Sequence, residues 1–197
     1  MESSLQSRLR FLVEIDRLKS VYRASPLVDR SRKENSAEHS WHLAMYALVL
    51  AEHCGDDLDI NLVLKMLLLH DIVEIDAGDS PIHGPTDTAL QHRKESEAAR
   101  RIFGILPGIE GAELKAIWEE FEQGESPEAR FAKSLDRLQP LVQNVCTDGG
   151  TWVESDVSHQ QVRERYGPAI RAGSPELWAA AERLIAAHFS GQGATLT

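Results

Sequence analysis

His70, Asp71 and Glu74 lie at i+3, i+4 and i+7 from Leu67, within and just beyond a stretch of leucine, valine, methionine and isoleucine. On a helix continuing through that stretch they share one face. Ionisable side chains among apolar ones are costly to bury unless paired, hydrogen-bonded or metal-bound. Adjacent imidazole and carboxylate can supply one nitrogen and one oxygen ligand to a divalent ion. The His-Asp dipeptide alone says little, because 8 His and 12 Asp in 197 residues make roughly 0.5 such pairs expected by chance. Two further groups raise its weight. His39 opens a helical pattern in Glu38-His39-Ser40, and Asp136 closes Phe131-Ala132-Lys133-Ser134-Leu135-Asp136 within another. Three helices would then bring His39, His70 with Asp71, and Asp136 to one point. The residues alone leave His42 open as an alternative to His39, and a structural ion pair open for His70 and Asp71.

The elements that must position these groups read as helical almost throughout, with period-3.6 patterns and no sustained alternation. The pattern predicts a first helix over residues 4–20, with Leu5, Leu9, Leu12 and Ile15 to one side, then an irregular stretch around Pro26. Asn35 with Glu38 three residues on predicts a capping box and a helix to about Cys54, stopped by Gly55. Asn61 is expected to cap a helix over 61–75, apolar almost all round and therefore central. Residues 76–87, with Gly78, Pro81, Gly84 and Pro85, read as a loop. Helices follow over 88–103 and 111–123. A third opens at Ser126-Pro127 and carries Pro140, which should kink it. A loop is expected over 147–155, a helix over 157–166 before Gly167-Pro168, and a last helix from Ser174-Pro175. The whole reads as one all-α domain over 1–189, with a loosely held tail over 190–197.

The formal net charge is −10. An acidic body without a basic stripe excludes a long nucleic acid as partner, while a metal ion could still reverse the local field for a small anion. The charged start, residues 1–11, has no apolar core of a secretory signal, and the longest apolar stretch, 62–69, is far too short to cross a membrane. Cys54 and Cys146 match no metal or redox spacing. The expected setting is a reducing cytoplasm.

The order His…His-Asp…Asp resembles the HD-domain metal-dependent phosphohydrolases. The strings Glu34-Asn35-Ser36-Ala37-Glu38-His39-Ser40, His70-Asp71-Ile72-Val73-Glu74 with Gly78-Asp79, and Lys133-Ser134-Leu135-Asp136 are similar to the branch that holds the 5′-deoxynucleotidases. Trp118-Glu119-Glu120-Phe121-Glu122 extends the likeness, which covers about residues 9–143. The resemblance implies a single HD-domain helical bundle, its metal-binding core over about 9–145 and its C-terminal helices over 157–189. It implies one divalent ion (Mn, Co, Fe, Ni or Zn) held by His39, His70, Asp71 and Asp136. It also implies a nucleoside 5′-monophosphate as substrate, with inorganic phosphate released. In that scheme Glu74 positions or deprotonates the attacking water and Asp79 assists near the leaving oxygen. Arg23 binds phosphate, and Lys133, three residues before Asp136, offsets charge. Relatives in that branch often follow the arginine with Trp where this chain has Ala24, so a 2′-deoxy preference does not carry over. The branch further implies a homodimer, for which Trp178 and Leu177 are the candidate faces. Two other readings remain. His83 and His92 fall between the His-Asp pair and the last Asp, where some HD-fold oxygenases place ligands for a second iron. A non-catalytic metal-binding module is the other.

Overall fold

The computed structural model describes residues 4–54, 58–84 and 87–191. Gly55, Pro85 and most of the expected C-terminal tail lie outside them. Helix α1 (Ser4–Ile15) passes into a 3₁₀ turn (Asp16–Ser20), so the single helix expected over 4–20 is two segments. Its buried residues are Phe11 and, in the turn, Leu18, whereas Leu5, Leu9 and Leu12 are exposed. Of the expected apolar stripe only Ile15 packs against the core, and the three leucines face outward.

A two-stranded antiparallel hairpin, β1 (Tyr22–Pro26) and β2 (Lys33–Asn35), replaces the irregular stretch expected around Pro26. Its strands are too short for a period-2 signal to emerge from sequence. In the connecting turn, Asp29 Oδ1 accepts from the Ser31 backbone N–H and hydroxyl. The hairpin sets Arg23 on one strand and ends the other at Asn35, which opens α2 (Ser36–Leu50). The capping box is present: Asn35 Oδ1 accepts from Glu38 N at 3.0 Å, and Glu38 Oε2 from Asn35 N at 3.2 Å. His39 thus lies in the first turn of a helix whose start is fixed twice.

Helix α3 (Ile60–Leu69) is capped by Asp59 rather than Asn61, the Asp59 carboxylate accepting from Asn61 N and Leu62 N. It buries Val63, Met66, Leu67 and Leu69 but exposes Leu68, so its apolar residues do not all face the core. The helix does not run on to Ile75. A 3₁₀ turn (His70–Val73) intervenes before α4 (Glu74–Ala77). Three residues per turn fan consecutive side chains about 120° apart, which separates His70 from Asp71 more than an α-helix would.

Helices α5 (Thr88–Phe103), α6 (Ile109–Gln123) and α7 (Pro127–Cys146) match the expected elements, with Asp87 and Ser126 as N-caps of α5 and α7. Pro140 lies inside α7, which continues through it for all 20 residues. Residues 147–155, expected as a loop, contain the short helix α8 (Gly150–Glu154) with Trp152 buried. Helix α9 (His159–Gly173) runs through Gly167-Pro168 instead of ending before them. The reason is a close approach: a Cβ at Gly167 would stand 2.9 Å from the ring of Trp178 on α10 (Pro175–Phe189). The glycine is a contact surface here, not a terminator.

The larger core gathers around α7, with Leu135 and Leu141 meeting residues of α2, α3, α9 and α10. A smaller core joins Phe11 to Ala99, Ile102 and Phe103 of α5 and to Ile72 and Val73. The His70–Val73 turn lies between the two. Among the described residues, no helix is long and apolar enough to cross a membrane.

Candidate metal centre

Three helical segments and the hairpin converge where the cores meet. His39 comes from α2, His70 and Asp71 from the 3₁₀ turn, Asp136 from α7, and Arg23 from β1. His39, His70 and Asp136 each place one ligand atom within 4.8 Å of the others, and all three are buried. His39 Nε2 lies 3.1 Å from Asp136 Oδ1, and His70 Nε2 lies 3.7 Å from the same oxygen. Asp71 closes the fourth side, with Oδ1 3.0 Å from His70 Nε2 and Oδ2 4.0 Å from His39 Nε2.

The hydrogen bonds behind each imidazole determine what faces inward. His70 Nδ1 is 2.9 Å from the Leu67 carbonyl, which can only accept, so Nδ1 carries a proton. In the neutral ring Nε2 is then a lone pair, buried without a hydrogen-bond partner beside two carboxylate oxygens. Acceptors facing acceptors repel unless a cation stands among them. This orphaned nitrogen, with a second imidazole and two acids around it, fits a divalent transition ion. The turn itself is pinned from behind, since Trp118 Nε1 donates to the His70 carbonyl at 3.2 Å.

The charges respond to one another. Burial and Arg23 oppose a proton on His39, yet hydrogen bonds to Asp136 and Glu34 and the field of Asp71 outweigh them and raise its pKa. Burial works against ionised Asp136, but the Arg137 charge and the His39 hydrogen bond hold its carboxyl well below the usual carboxylate range. Burial, with the charges of Asp71 and Asp79, pushes Glu74 well above that range despite Arg23 and the Ser36 hydroxyl, which donates to Glu74 Oε2 at 2.5 Å. Burial likewise raises Asp79, Arg23 opposing and Asp71 reinforcing. Two acids that crowd one site share a proton more readily than they both ionise.

A cleft of about 530 Å³ opens over this floor. Its walls include Arg23, Glu74, Asp79 and Lys133, each expected from sequence, and also Arg137 and Arg165, which sequence reading passed over. Arg23 Nη1 sits 2.9 Å from Asp71 Oδ2 and 3.6 Å from Asp79 Oδ1. Lys133 Nζ lies 4.5 Å from the centre of the Phe121 ring, so its charge is directed along the cleft wall rather than into the cluster. His42 is outside the cluster, where Gln139 Nε2 lies 3.2 Å from its Nδ1. The cluster includes neither His83, which lies against Tyr166, nor the exposed His92. Glu34, Ser36, Gln139 and Gln143 support the site without having been singled out. A signal existed for two of them: Asp136, Gln139 and Gln143 repeat at i, i+3 and i+7, a polar stripe on a buried helix face.

A helical bundle that gathers two histidines and two aspartates from three separate segments at the floor of an open cleft belongs to a recognisable class of metal-binding α-helical folds. A family model described as HD domain matches residues 15–178, and the chain belongs to that family. It is similar to the 5′-deoxynucleotidase HDDC2 of Homo sapiens, 32% identical over 139 residues that span 70% of this chain and 67% of that one. The solved structure of a predicted metal-dependent phosphohydrolase from Magnetospirillum magnetotacticum MS-1 is 47% identical, with a TM-score of 0.91 over 96% of this chain and 94% of that one. The PH0347 protein of Pyrococcus horikoshii OT3, at 19% identity and a TM-score of 0.65, shares the fold over 89% of this chain and 99% of that one.

Proposed function

We propose that the protein is a metal-dependent phosphohydrolase that releases inorganic phosphate from nucleoside 5′-monophosphates. The observation that carries this reading is the orphaned Nε2 of His70, held among His39, Asp71 and Asp136 beneath a cleft lined by Arg23. The relatives named 5′-deoxynucleotidase and metal-dependent phosphohydrolase support it. His39, His70, Asp71 and Asp136 would hold one ion of the Mn, Co, Fe, Ni or Zn group. When bound, such an ion supplies Lewis-acid polarisation and acidifies water.

The chain's own residues do the rest. Arg23, its charge secured by the surrounding acids, binds the phosphate and offsets its charge. Glu74, with its raised pKa and its hydroxyl partner Ser36, orients the attacking water and takes its proton. Asp79, protonated more readily than a free carboxyl, stands to deliver a proton to the leaving oxygen. Lys133 lends positive potential from the wall. Ala24 lines a chamber of about 80 Å³ beside the cleft, space that a larger side chain at this position would fill. A cytoplasmic homodimer completes the reading. Its interface cannot be Leu177 and Trp178, which are 6% and 5% exposed and packed in the core; Trp41, Leu48 and Val49 on α2 present the exposed apolar side chains instead.

The test is a phosphate-release screen over nucleoside mono-, di- and triphosphates after reconstitution with each candidate ion. Release from monophosphates, with ribo- and deoxyribonucleotides within a few-fold of each other, is expected. Release only from polyphosphates would overturn the substrate assignment.

A further inference from the structure

Behind the His39 ring lies a buried relay that the proposed chemistry does not itself use. Glu34, on β2, is 2% exposed. Its Oε1 accepts from Gln139 Nε2 at 2.9 Å and from Gln143 Nε2 at 3.0 Å. The second hydrogen of the Gln139 amide points to His42 Nδ1, 3.2 Å away. A His42 ring with its proton on Nε2 accepts there. With both amide hydrogens committed, the Gln139 carbonyl is the group that faces His39 Nδ1 at 3.0 Å. A carbonyl only accepts. In the neutral form that would ligate a metal ion, His39 therefore carries its proton on Nδ1 and offers the Nε2 lone pair.

We propose that Glu34 is a positioning residue: through Gln139 it selects the tautomer of His39, and so decides which ring nitrogen is offered to a metal ion. Without a buried acceptor at Glu34, the Gln139 amide can turn over and present its NH₂ to His39. That arrangement favours the opposite tautomer, with a proton on Nε2 and no lone pair at the site. The remaining oxygen has a second task. Glu34 Oε2 lies 3.5 Å from His39 Nδ1 itself and 3.7 Å from Arg23 Nε. The same carboxylate thus steadies the guanidinium that enters the cleft, tying an imidazole of the metal centre to the phosphate-binding side chain. The inference rests on the metal-dependent reading for the identity of the cation.

The experiment measures Mn²⁺ affinity by chelator competition, together with kcat and KM for a nucleoside monophosphate and the thermal midpoint. The proteins are wild type, Glu34→Gln, Gln139→Leu and the double variant. Glu34→Gln keeps the shape but removes the charge and puts an NH₂ where one oxygen stood, so the Gln139 amide is no longer held one way round. It is expected to weaken Mn²⁺ binding by about 10–100-fold, the usual cost of losing a hydrogen-bond partner behind a ligand histidine. Gln139→Leu should weaken it similarly, and the double variant no further than the worse single one, because both break one relay. KM should rise in Glu34→Gln but not in Gln139→Leu, since only Glu34 reaches Arg23. A folded Glu34→Gln protein with wild-type Mn²⁺ affinity, or fully additive single effects, would overturn the proposal. Should Glu34→Gln fail to fold, unchanged affinity in Gln139→Leu overturns it as well. A wild type that binds Mn²⁺ yet hydrolyses no phosphomonoester overturns the phosphohydrolase reading, while the affinity comparison still decides the relay.

Discussion

At the scale of single residues, the candidate site crowds two imidazoles and two aspartates into one buried cluster that could hold a cation. Glu74 shows how local chemistry follows from placement. It begins α4 directly after the turn that carries His70 and Asp71, and burial with two acidic neighbours raises its pKa. Substituting Glu74→Gln keeps the volume and the contact with Ser36 but removes the proton acceptor. Turnover is expected to fall by about 10²–10⁴-fold while metal content and thermal midpoint stay near wild type. Loss of stability with turnover per folded molecule unchanged would instead make Glu74 a structural acid. Part of this candidate site was legible in the sequence: His70, Asp71 and Glu74 stand out beside an apolar helical stretch, while the choice of His39 over His42 came from the resemblance to a family. Glu34 and Gln139 were not legible, since their importance lies in a contact between residues 105 positions apart. Arg165 was equally hidden, arriving at the cleft from α9.

At the scale of elements, helix starts were the most readable features and helix ends the least. Asn35, Ser126 and Ser174 announce their helices through side-chain acceptors that satisfy the first backbone N–H groups. The break at His70 carries no such signal, because its leucine-rich approach suits continued α-helix and only the tertiary setting tightens the turn. The cap of α2 also positions His39, and Asn35→Ala should cost about 0.5–2 kcal/mol in urea unfolding. Its partner Glu38 predicts a pH dependence. The Arg32 guanidinium, and the Asn35 N–H, hold Glu38 below its usual value near 4.5 against slight burial. A depressed carboxyl contributes stability that is present above its unfolded pKa and lost as pH falls through the folded one. In Glu38→Gln, the decline in urea midpoint on acidification below about pH 4.5 should therefore be shallower than in wild type. An identical decline would show that the pair contributes nothing. The crossing of α7 and α9 is as demanding. A Cβ at Gly173 would stand 2.4 Å from the Arg130 carbonyl oxygen and 2.6 Å from Ser134 Cβ, so Gly173→Ala should destabilise by about 1–3 kcal/mol.

For the whole molecule, an acidic chain sets Arg23, Lys133, Arg137 and Arg165 among the acids of one cleft, over a cluster that could hold a cation. The all-α bundle was readable from periodicity, whereas which apolar faces remain outside was not. Leu5, Leu9 and Leu12 share the amphipathic spacing of a core face and yet are exposed, while Trp178 is buried. Sequence records that a face is apolar, not what covers it. Light scattering should report a homodimer, and Trp41→Glu should convert it to a folded monomer, whereas Trp178→Glu should unfold the chain. A Trp41→Glu dimer would remove that face from consideration. The proposed activity depends above all on the metal, and the most direct measurement determines metal content and phosphate release on the same preparations of wild type, His70→Ala and chelator-treated protein. About one divalent ion per chain in wild type is expected, with phosphate release proportional to occupancy, and neither ion nor turnover in His70→Ala or after chelation. Full phosphate release from chelated protein, or full metal occupancy in His70→Ala, would contradict it.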